Sequence, residues 1–458
     1  MFQSHVEGHG ASWGHDWRSS DAFIVSTMGL ALFTDELLFA FMLPLLPTML
    51  ENRIGLDPSL TQRYTSIFLA EGALVSILSS PFIGSMTEGI SSKKTLLLAL
   101  LMLALISTAF LSLTRQLVWL FVGRFFQCLT SNALWIVGMA TMAENLGTEN
   151  MGKIAGLSST LTAAGTAAGP VLAGLLFEMG GYWCAWAGAL AFLMADIVMR
   201  LIMVEKPVDP QQVTENLEQG PLLQDGPPVE QANRSLSSWR FHVCVFREPL
   251  FSAGVFCAYA YAVMIGSFES TLVVHVRMAF GWGALRAGFL LALIQGPGIA
   301  LAAPVGWMKD RIGSRTPTTV GFFSLIPFIV LLGVLSDDLF PWVKEAWGKS
   351  LYVVCTAMTG CLLSLLSGVG TMQATETIDA LEVREPGKFG PNGGFTRALA
   401  VINMTWMAGL ITGPLLAEFV VGSFGYFVLQ CCLGVISLVA GLMALLFLGS
   451  LRPKSVPR

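Results

Sequence analysis

The chain has 458 residues, of which 54% are hydrophobic and only 12% are charged. Soluble domains carry about 25% charged residues, so a soluble chain of this composition could not cover its surface, whereas a chain facing lipid does not need to. The net charge of -4 is small and no long basic run is present, which excludes the usual features of a nucleic-acid-binding protein. The composition indicates an integral membrane protein.

Twelve largely apolar runs follow one another along the chain, and each is long enough to cross a bilayer as a helix. The breaks between them are short and contain Gly, Pro and Ser, which are typical of turns. The sequence therefore predicts an all-α membrane protein with twelve transmembrane helices. The runs begin near Phe23, Ser66, Thr95, Val118, Ile154, Trp183, Phe251, Ala284, Thr318, Leu351, Ala398 and Phe427.

The break between the sixth and seventh spans differs from the others. Glu205–Glu248 is rich in Pro, Gln, Glu and Ser, and such a segment cannot bury enough apolar surface to order itself. We therefore expect a mostly disordered linker, with a short interfacial helix over Trp239–Phe246. The predicted domains are an N-terminal tail (1–21), a six-helix bundle (22–204), the linker (205–248), a second six-helix bundle (249–450) and a C-terminal tail (451–458).

The charges of the loops predict the orientation of the chain. In membrane proteins, lysine and arginine concentrate in the short loops on the cytoplasmic side. If the N-terminus is cytoplasmic, most of these residues fall on that side. Both termini are therefore expected in the cytoplasm, as an even number of spans requires. The opposite loops hold only Arg53, Arg63, Arg115, Arg277, Arg286, Lys344 and Lys349.

The fifth and eleventh spans carry the same element, Gly-x-x-x-Gly-Pro, at the same position in each half. Glycines four residues apart let another helix approach closely, and proline removes a hydrogen bond within the helix and bends it. Because the element is repeated, we favour a tightly packed, bendable helix beside a central cavity over plain helix packing. The residues are Gly165, Gly169, Pro170 and Gly174, and Gly409, Gly413 and Pro414.

A second repeated element follows the second and eighth spans. An aspartate there can cap the next helix and pair with an arginine, so that the pair holds one conformation and releases in another. The alternative is that the basic residues only anchor the topology. Matched elements at matched positions are typical of a duplicated six-helix unit. This gating loop contains Gly306, Asp310, Arg311, Gly313 and Arg315, and its first-half counterpart contains Gly84 and Glu88.

These motifs resemble those of a known family. Gly306–Arg315 resembles the signature loop of the major facilitator superfamily, and Gly165–Gly174 resembles the fifth-helix motif of its twelve-span drug:proton antiporters. Gly123–Gln127 resembles the fourth-helix motif of that group, and Leu32–Leu38 resembles the first helix of the vesicular amine transporters. The resemblance implies the major facilitator fold, in which twelve transmembrane helices form two pseudo-symmetric six-helix bundles.

Charged and polar side chains inside the spans are candidates for proton coupling or substrate binding, because a charge in mid-bilayer is costly. Asp35 and Glu36 lie about 18 Å into the first span at about 1.5 Å per residue. Of these two neighbours, we favour Asp35 as the one that faces a cavity. Glu269 lies in the seventh span, which is the equivalent helix of the second half, and Arg124 and Gln127 lie in the fourth.

A carboxylate inside the membrane that exchanges protons with water could also bind a cationic substrate, and competition between the two would give a minimal antiport mechanism. Arg124 could pair with such a carboxylate and keep it charged. The alternative is a structural acid that never titrates. Glu269 resembles the seventh-helix acid of the vesicular amine transporters, and Asn403 stands where those proteins have an acid in the eleventh helix.

The expected function is proton-coupled efflux, by alternating access, of a small amphipathic organic compound. The resemblance to fungal multidrug and metabolite efflux carriers implies that the compound is a drug, toxin or secondary metabolite. The alternatives are uptake by proton symport and a transport-inactive receptor or scaffold.

The remaining expectations concern chemistry, partners and location. The histidines are all outside the middle of the spans and form no catalytic constellation, so we expect no enzyme activity, no cofactor and no metal site. The expected partners are the small-molecule substrate, protons and the lipid bilayer, and no nucleic acid. We expect a monomer in the plasma membrane, with a vacuolar or vesicle membrane as the alternative.

Overall fold

The first half of the chain forms six long helical spans. The computed structural model describes residues 15–18, 20–87, 93–146, 151–203, 238–335, 346–385, 389 and 394–449, in which the regular elements are helices. The fifth and sixth spans are one element, Met151–Ile202, in which Gly180 and Gly181 leave the helical conformation. The first four spans are Asp21–Thr48, Thr61–Thr87, Lys93–Leu113 and Leu117–Leu146.

The second half repeats this arrangement after a short helix, Ser238–Phe246. Its tenth span is divided into Ala346–Ser364 and Val369–Arg384, between which Gly368 has a positive φ of 73°. The other spans, from the seventh to the twelfth, are Pro249–Phe280, Ala284–Ile312, Arg315–Val334, Phe395–Phe424 and Tyr426–Phe447.

The number of spans follows from the lengths of these helices. Eleven segments of the described residues are long and apolar enough to cross a membrane. One of them, Leu157–Ile202, has 46 residues, about twice the length that a bilayer needs, and it is broken at Gly180 and Gly181. It therefore makes two spans, and the predicted total of twelve is confirmed.

The largest differences from the predicted boundaries concern the second and tenth spans. The second span begins at Thr61 rather than near Ser66, and the tenth begins at Ala346 rather than near Leu351. A helix continues through polar residues as long as its backbone hydrogen bonds are made, whereas the prediction counted only apolar residues. Hydropathy therefore predicts which residues lie in the membrane core more accurately than it predicts where each helix begins or ends.

The helix predicted over Trp239–Phe246 is observed as Ser238–Phe246. It buries Phe241 and Val245 against the inner residues of the tenth and eleventh spans, among them Ile378 and Ala398. Residues 205–237 of the predicted linker, residues 1–14 and 19 of the N-terminal tail, the C-terminal tail 451–458 and Glu88 lie outside the described residues.

In the first half, two glycines of the fifth span let it pack closely against the first span. A Cβ atom at Gly165 would lie 2.4 Å from the carbonyl oxygen of Phe33, and one at Gly169 would lie 2.4 Å from that of Leu37. Neither position has room for a side chain, because the backbone of the first span occupies the space. The fifth span therefore contacts the first span backbone to backbone.

The second half makes the equivalent contact between the eleventh and seventh spans. A Cβ atom at Gly409 would lie 2.5 Å from the Cβ atom of Ala262, and one at Gly413 would lie 2.5 Å from the carbonyl oxygen of Val263. The repeated glycines thus perform the same packing role in both halves.

The prolines of the two elements have different partners. Pro414 packs on Gly266 of the seventh span, within its own half, where a Cβ atom would lie 2.9 Å from the proline Cδ atom. Pro170 packs on Gly288 of the eighth span, where a Cβ atom would lie 2.2 Å from the proline carbonyl oxygen. Gly174 also contacts the backbone of the eighth span. The fifth span therefore joins the two halves.

The halves are also joined at the end of the molecule where the first span finishes, which we call the Glu51 end. Arg277 Nη2 lies 2.6 Å from Glu51 Oε2, and Thr61 Oγ1 donates to Glu51 Oε1 at 2.9 Å. Gln62 Nε2 donates to the carbonyl oxygen of Ser270 at 3.1 Å. These contacts link the first and second spans to the seventh.

We call the opposite end, where the eighth span finishes, the Asp310 end. Trp307 of the eighth span and Phe82 of the second span are largely exposed there. Cβ atoms added along the eighth span at Gly296, Gly298 and Gly306 would meet nothing within 4 Å. The described residues therefore bond the halves together at the Glu51 end, whereas the eighth span has room beside it from its middle to the Asp310 end.

Candidate functional site

A polar cavity lies inside the first half, between the first, third, fourth and sixth spans. It has a volume of about 40 Å³. Asp35 lines it and accepts a hydrogen bond from Ser131 of the fourth span, with 2.6 Å between Ser131 Oγ and Asp35 Oδ2. The other polar side chains along its wall include Thr108, Arg124, Gln127 and Asp196.

Arg124 is 2% exposed and extends along this cavity. Its Nη1 atom donates to Gln127 Oε1 at 2.8 Å, and its guanidinium lies 4.7 Å from the centre of the Phe68 ring. A cation over an aromatic face is stabilised by the ring quadrupole. Gly72 leaves room for the guanidinium, because a Cβ atom there would lie 3.3 Å from Arg124 Nη2.

The charge of Arg124 is balanced without a direct ion pair. In the described part of the chain, neither its Nε nor its Nη2 atom has a hydrogen-bond partner. Its charge interacts with those of Asp35, Glu71 and Glu269. The expected pairing of Arg124 with a carboxylate is therefore replaced by a hydrogen bond to Gln127, and the carboxylates contribute through longer-range attraction.

Glu36 and Glu269 come from different halves and are close enough for their charges to interact. Glu36 Oε2 accepts a hydrogen bond from Thr166 Oγ1 of the fifth span at 3.2 Å. Glu269 is 7% exposed, and its Oε1 atom accepts from Gln295 Nε2 of the eighth span at 2.8 Å. Each carboxylate is thus held by a neutral donor from a neighbouring span of its own half.

The two neighbouring acids of the first span therefore have different surroundings. Asp35 points into the first-half cavity and contacts Ser131, whereas Glu36 contacts Thr166 and interacts with Glu269. Consecutive residues on a helix point about 100° apart, so each acid reaches a different set of spans.

Aromatic side chains accompany Glu269 in the second half. Tyr261 lies two turns before Glu269 on the seventh span, within range of the charge of that carboxylate. Its ring centre is 5.2 Å from that of Trp406 in the eleventh span. Asn403, on the same span as Trp406, is exposed, and none of the contacts in the described ranges joins it to a carboxylate.

The predicted gating loop is mostly helix, because Gly306, Asp310 and Arg311 lie in the last turns of the eighth span. Among the described residues, Asp310 forms no ion pair with an arginine in this conformation. Gly313 has a φ of 81°, which favours glycine, and Asp310, Arg311 and Arg315 are exposed. The ninth span begins without a side-chain cap, so Asp310 does not cap it. The Arg311 guanidinium instead lies over the ring of Trp307. The first-half residue Gly84 lies in the last turns of the second span.

A family model described as the Major Facilitator Superfamily matches residues 28–379. The chain belongs to the Major Facilitator Superfamily. The match covers every side chain of the cavity and both carboxylates that interact between the halves. As a member of this superfamily, the protein is a membrane transporter and not an enzyme, and the superfamily architecture expected from the sequence motifs is confirmed.

Curated relatives of this superfamily cover nearly all of the chain. A protein of Metarhizium rileyi named MFS-type transporter ppzB is 28% identical over 97% of this chain and 98% of its own length. The multi-drug resistance efflux pump PmrA of Streptococcus pneumoniae is 22% identical over 84% of this chain and 86% of its own length. Both similarities extend over the two halves.

A solved structure supports the fold. The bacterial homologue of the human lysosomal transporter Spinster, in an inward-facing and unoccupied conformation, matches with a TM-score of 0.66. The match covers 95% of this chain and 99% of that one, at 11% sequence identity. At this identity, the similarity shows that the superfamily fold is shared.

Sequence reasoning missed three buried charges of this superfamily member. Asp196 is 1% exposed and Arg200 is 0% exposed, and both lie in the sixth span. Lys309 was expected in a cytoplasmic loop, but it is 5% exposed, and its ammonium donates to the carbonyl oxygen of Ser367 at the break in the tenth span. Asp196 and Arg200 lie within an apolar run, so the rule that singled out Asp35 could have found them.

Proposed function

We propose that this transporter performs proton-coupled efflux of a small amphipathic organic compound. The observation that carries the proposal is the interaction between Glu36 and Glu269, one carboxylate from each half, at the level where the halves meet. Among the described residues, Thr166 is the hydrogen-bond partner of Glu36 and Gln295 that of Glu269, each at one carboxylate oxygen. Each therefore keeps an oxygen that can take a proton or contact a substrate.

Competition between a proton and a cationic substrate for this pair would couple their movements. When the pair carries a negative charge, it attracts a cation into the region between the halves. A proton that binds there removes the charge and weakens the hold on the substrate. The two carboxylates belong to different halves, so they repel each other and push the halves apart when both are charged. Protonation removes this repulsion and lets the halves pack together.

The surroundings of Glu269 suit a compound with apolar and charged parts. Tyr261, about 12 Å along the seventh span from Glu269 at about 1.5 Å per residue, is paired with Trp406 and lies within range of the charge of Glu269. Aromatic faces bind organic cations through the ring quadrupole. Sites for small molecules are commonly apolar with a few fixed polar groups. The similarity to a multi-drug resistance efflux pump supports a substrate of this class.

The difference between the two ends supports alternating access. The Glu51–Arg277 ion pair joins the halves at the Glu51 end, whereas the eighth span has free space beside it towards the Asp310 end. A second state would break that ion pair and close the Asp310 end, where Asp310 and Arg311 are available to form the expected latch. With both termini in the cytoplasm, as the loop charges favour, the Asp310 end faces the cytoplasm and receives the compound.

The predicted domain organisation and location are consistent with this function. Bundles 22–204 and 249–450 would move relative to each other about the central carboxylates, with the segment 205–248 connecting them. The transporter would act as a monomer, and the plasma membrane is the location that fits export from the cell.

Efflux from intact cells tests this function. Cells with and without the protein are loaded with a panel of fluorescent cationic and neutral hydrophobic compounds, and efflux is followed with and without a protonophore. Faster efflux that the protonophore stops is the expected result. Accumulation driven by the proton gradient would instead show an importer, and no protein-dependent flux across the panel would contradict the proposal and favour a transport-inactive protein.

A further inference from the structure

Asp196 is a buried acid that the proposed exchange at Glu36 and Glu269 does not use. It is 1% exposed and lines the first-half cavity together with Asp35. In the described part of the chain, neither of its carboxylate oxygens has a hydrogen-bond partner. A buried carboxylate without a partner is costly, so this group requires an explanation.

The cavity supplies the partner that Asp196 lacks. Its volume of about 40 Å³ accommodates about two or three water molecules, and its polar wall can hold them. Arg124 lines the same cavity, and its Nη1 atom is bonded to Gln127. Water in the cavity would complete the hydrogen bonds of Asp196 and connect it with Asp35.

The charged groups around Asp196 come from three of the four spans that enclose the cavity. Asp35 on the first span is close enough for its charge to interact with that of Asp196. The fourth span contributes Arg124 and the thiol of Cys128, and the third span contributes no titratable group to the wall. On the sixth span itself, Arg200 lies one turn beyond Asp196 and interacts with it electrostatically.

Asp196 also lies nearer the Asp310 end than Asp35 does. It precedes the end of its helix at Ile202 by about 9 Å, whereas Asp35 lies about 21 Å from the start of the first span at Asp21, at about 1.5 Å per residue. Both helix ends belong to the Asp310 end, where Arg18 Nε donates to the carbonyl oxygen of Ile202. The cavity therefore joins Asp35 to an acid that lies nearer that end.

We propose that Asp196 is a second proton-binding site, connected to Asp35 by water in the first-half cavity, through which the proton of Asp35 reaches the Asp310 end. The proton leaves the carboxyl group of Asp35 through water and binds the carboxylate of Asp196. Asp35 becomes charged, Asp196 becomes neutral, and Asp196 then releases the proton to bulk water. Arg200 is a positioning residue that stabilises the charged form of Asp196. This path deepens the proposed proton-coupled function and avoids the region where the substrate would bind.

Infrared difference spectroscopy of the full-length protein in lipid nanodiscs tests the path without a known substrate. The absorption of protonated carboxyl groups is recorded while the pH is stepped, for the wild type, Asp196→Asn, Asp35→Asn and the exposed-loop control Asp57→Asn. We expect one titrating component of the carboxyl absorption to be absent in Asp196→Asn and to remain in Asp57→Asn. In Asp35→Asn, the same component should remain but titrate at a different pH. Identical carboxyl changes in the wild type and Asp196→Asn would overturn the proposal.

A conservative variant covers the case in which Asp196→Asn does not fold. Asp196→Glu retains a carboxyl group, so the component should keep its amplitude and move its midpoint, and a component that does not move would overturn the proposal. Protonophore-sensitive efflux at the wild-type rate in folded Asp196→Asn would also overturn it. Failure of the efflux experiment alone would contradict the proposed function, whereas the infrared result reports on Asp196 whether or not a transported compound is found.

Discussion

The two halves of the transporter share their packing but differ in how they bury charge. In both, glycines four residues apart press one span onto the backbone of another. The first half gathers Arg124, Asp196 and Arg200 near one cavity, whereas the second half keeps Glu269 and Lys309 apart. Backbone contacts between helices depend only on small residues at fixed spacing, so a duplicated unit keeps them while its charges diverge.

The separate charges of the second half are each satisfied by a neutral group. Glu269 accepts from the Gln295 amide, and Lys309 donates to a backbone carbonyl oxygen. In the first half, charges of opposite sign balance each other across the cavity. In the first half, buried charges therefore interact with one another across the cavity. In the second half, Glu269 is the acid that faces the region between the halves.

The largest expected effect comes from removing that acidic position. Glu269→Gln keeps a polar side chain that can meet Gln295 but removes the charge and the proton-binding site. We expect protonophore-sensitive efflux to fall about 100-fold, the lower range for loss of a proton-transfer group. Glu178→Gln, at an exposed span end, is the matched control. Efflux near the wild-type rate in Glu269→Gln would show that the first half alone couples protons to transport.

The next largest effect is on stability, and it compares removal of Arg124, which interacts with several carboxylates, with removal of Lys309, which does not. Arg124→Met removes the cation that balances several carboxylates, and we expect the free energy of unfolding to fall by about 3–5 kcal/mol. Lys309→Met removes a cation that has no carboxylate partner in the described ranges, and we expect a loss of about 1.5–3 kcal/mol, the range for one hydrogen bond from a charged group. Denaturant unfolding in detergent measures both. Equal losses would contradict the difference between the halves.

A smaller effect tests the shared packing. Gly169→Ala and Gly413→Ala each place a Cβ atom against a backbone carbonyl oxygen, and overpacking of this kind costs about 1–3 kcal/mol. The two variants should therefore lower the free energy of unfolding by similar amounts. Gly422→Ala is the control, because a Cβ atom there meets nothing within 4 Å. A large loss of stability in only one of the two variants would contradict an equivalent packing role in the two halves.

The smallest effect concerns the contact between the halves at the Glu51 end. Glu51→Gln removes an ion pair whose partners are 15% and 39% exposed, and such pairs contribute about 0.2–1 kcal/mol. The population open at the Glu51 end should therefore rise by up to about fivefold. Spin-label distances between positions Ser59 and Met278 measure this population, and Arg277→Gln should shift it by the same amount. An unchanged distance distribution would show that the remaining contacts, Gln62 with Ser270 and the fifth span with the eighth, keep this end closed.

The sequence predicted the helices because hydropathy and small-residue spacing are local properties. The number of spans and the helix Ser238–Phe246 can be read along the chain, and the repeated glycines predicted close contacts of the kind that the fifth and eleventh spans make. Lys309 was misplaced because a residue near the end of a span can turn inwards, and only the break in the tenth span exposes the carbonyl oxygen that receives its ammonium.

The sequence by itself determined that this chain is a twelve-span membrane protein with a duplicated arrangement and acids inside its first and seventh spans. The tertiary structure alone decided that Glu36 rather than Asp35 interacts with Glu269, that Asp35 shares a cavity with Asp196, and that Arg124 bonds to Gln127. The physical reason is rotation about the helix axis. Neighbouring residues point about 100° apart, and how the spans pack decides which of them meets a partner.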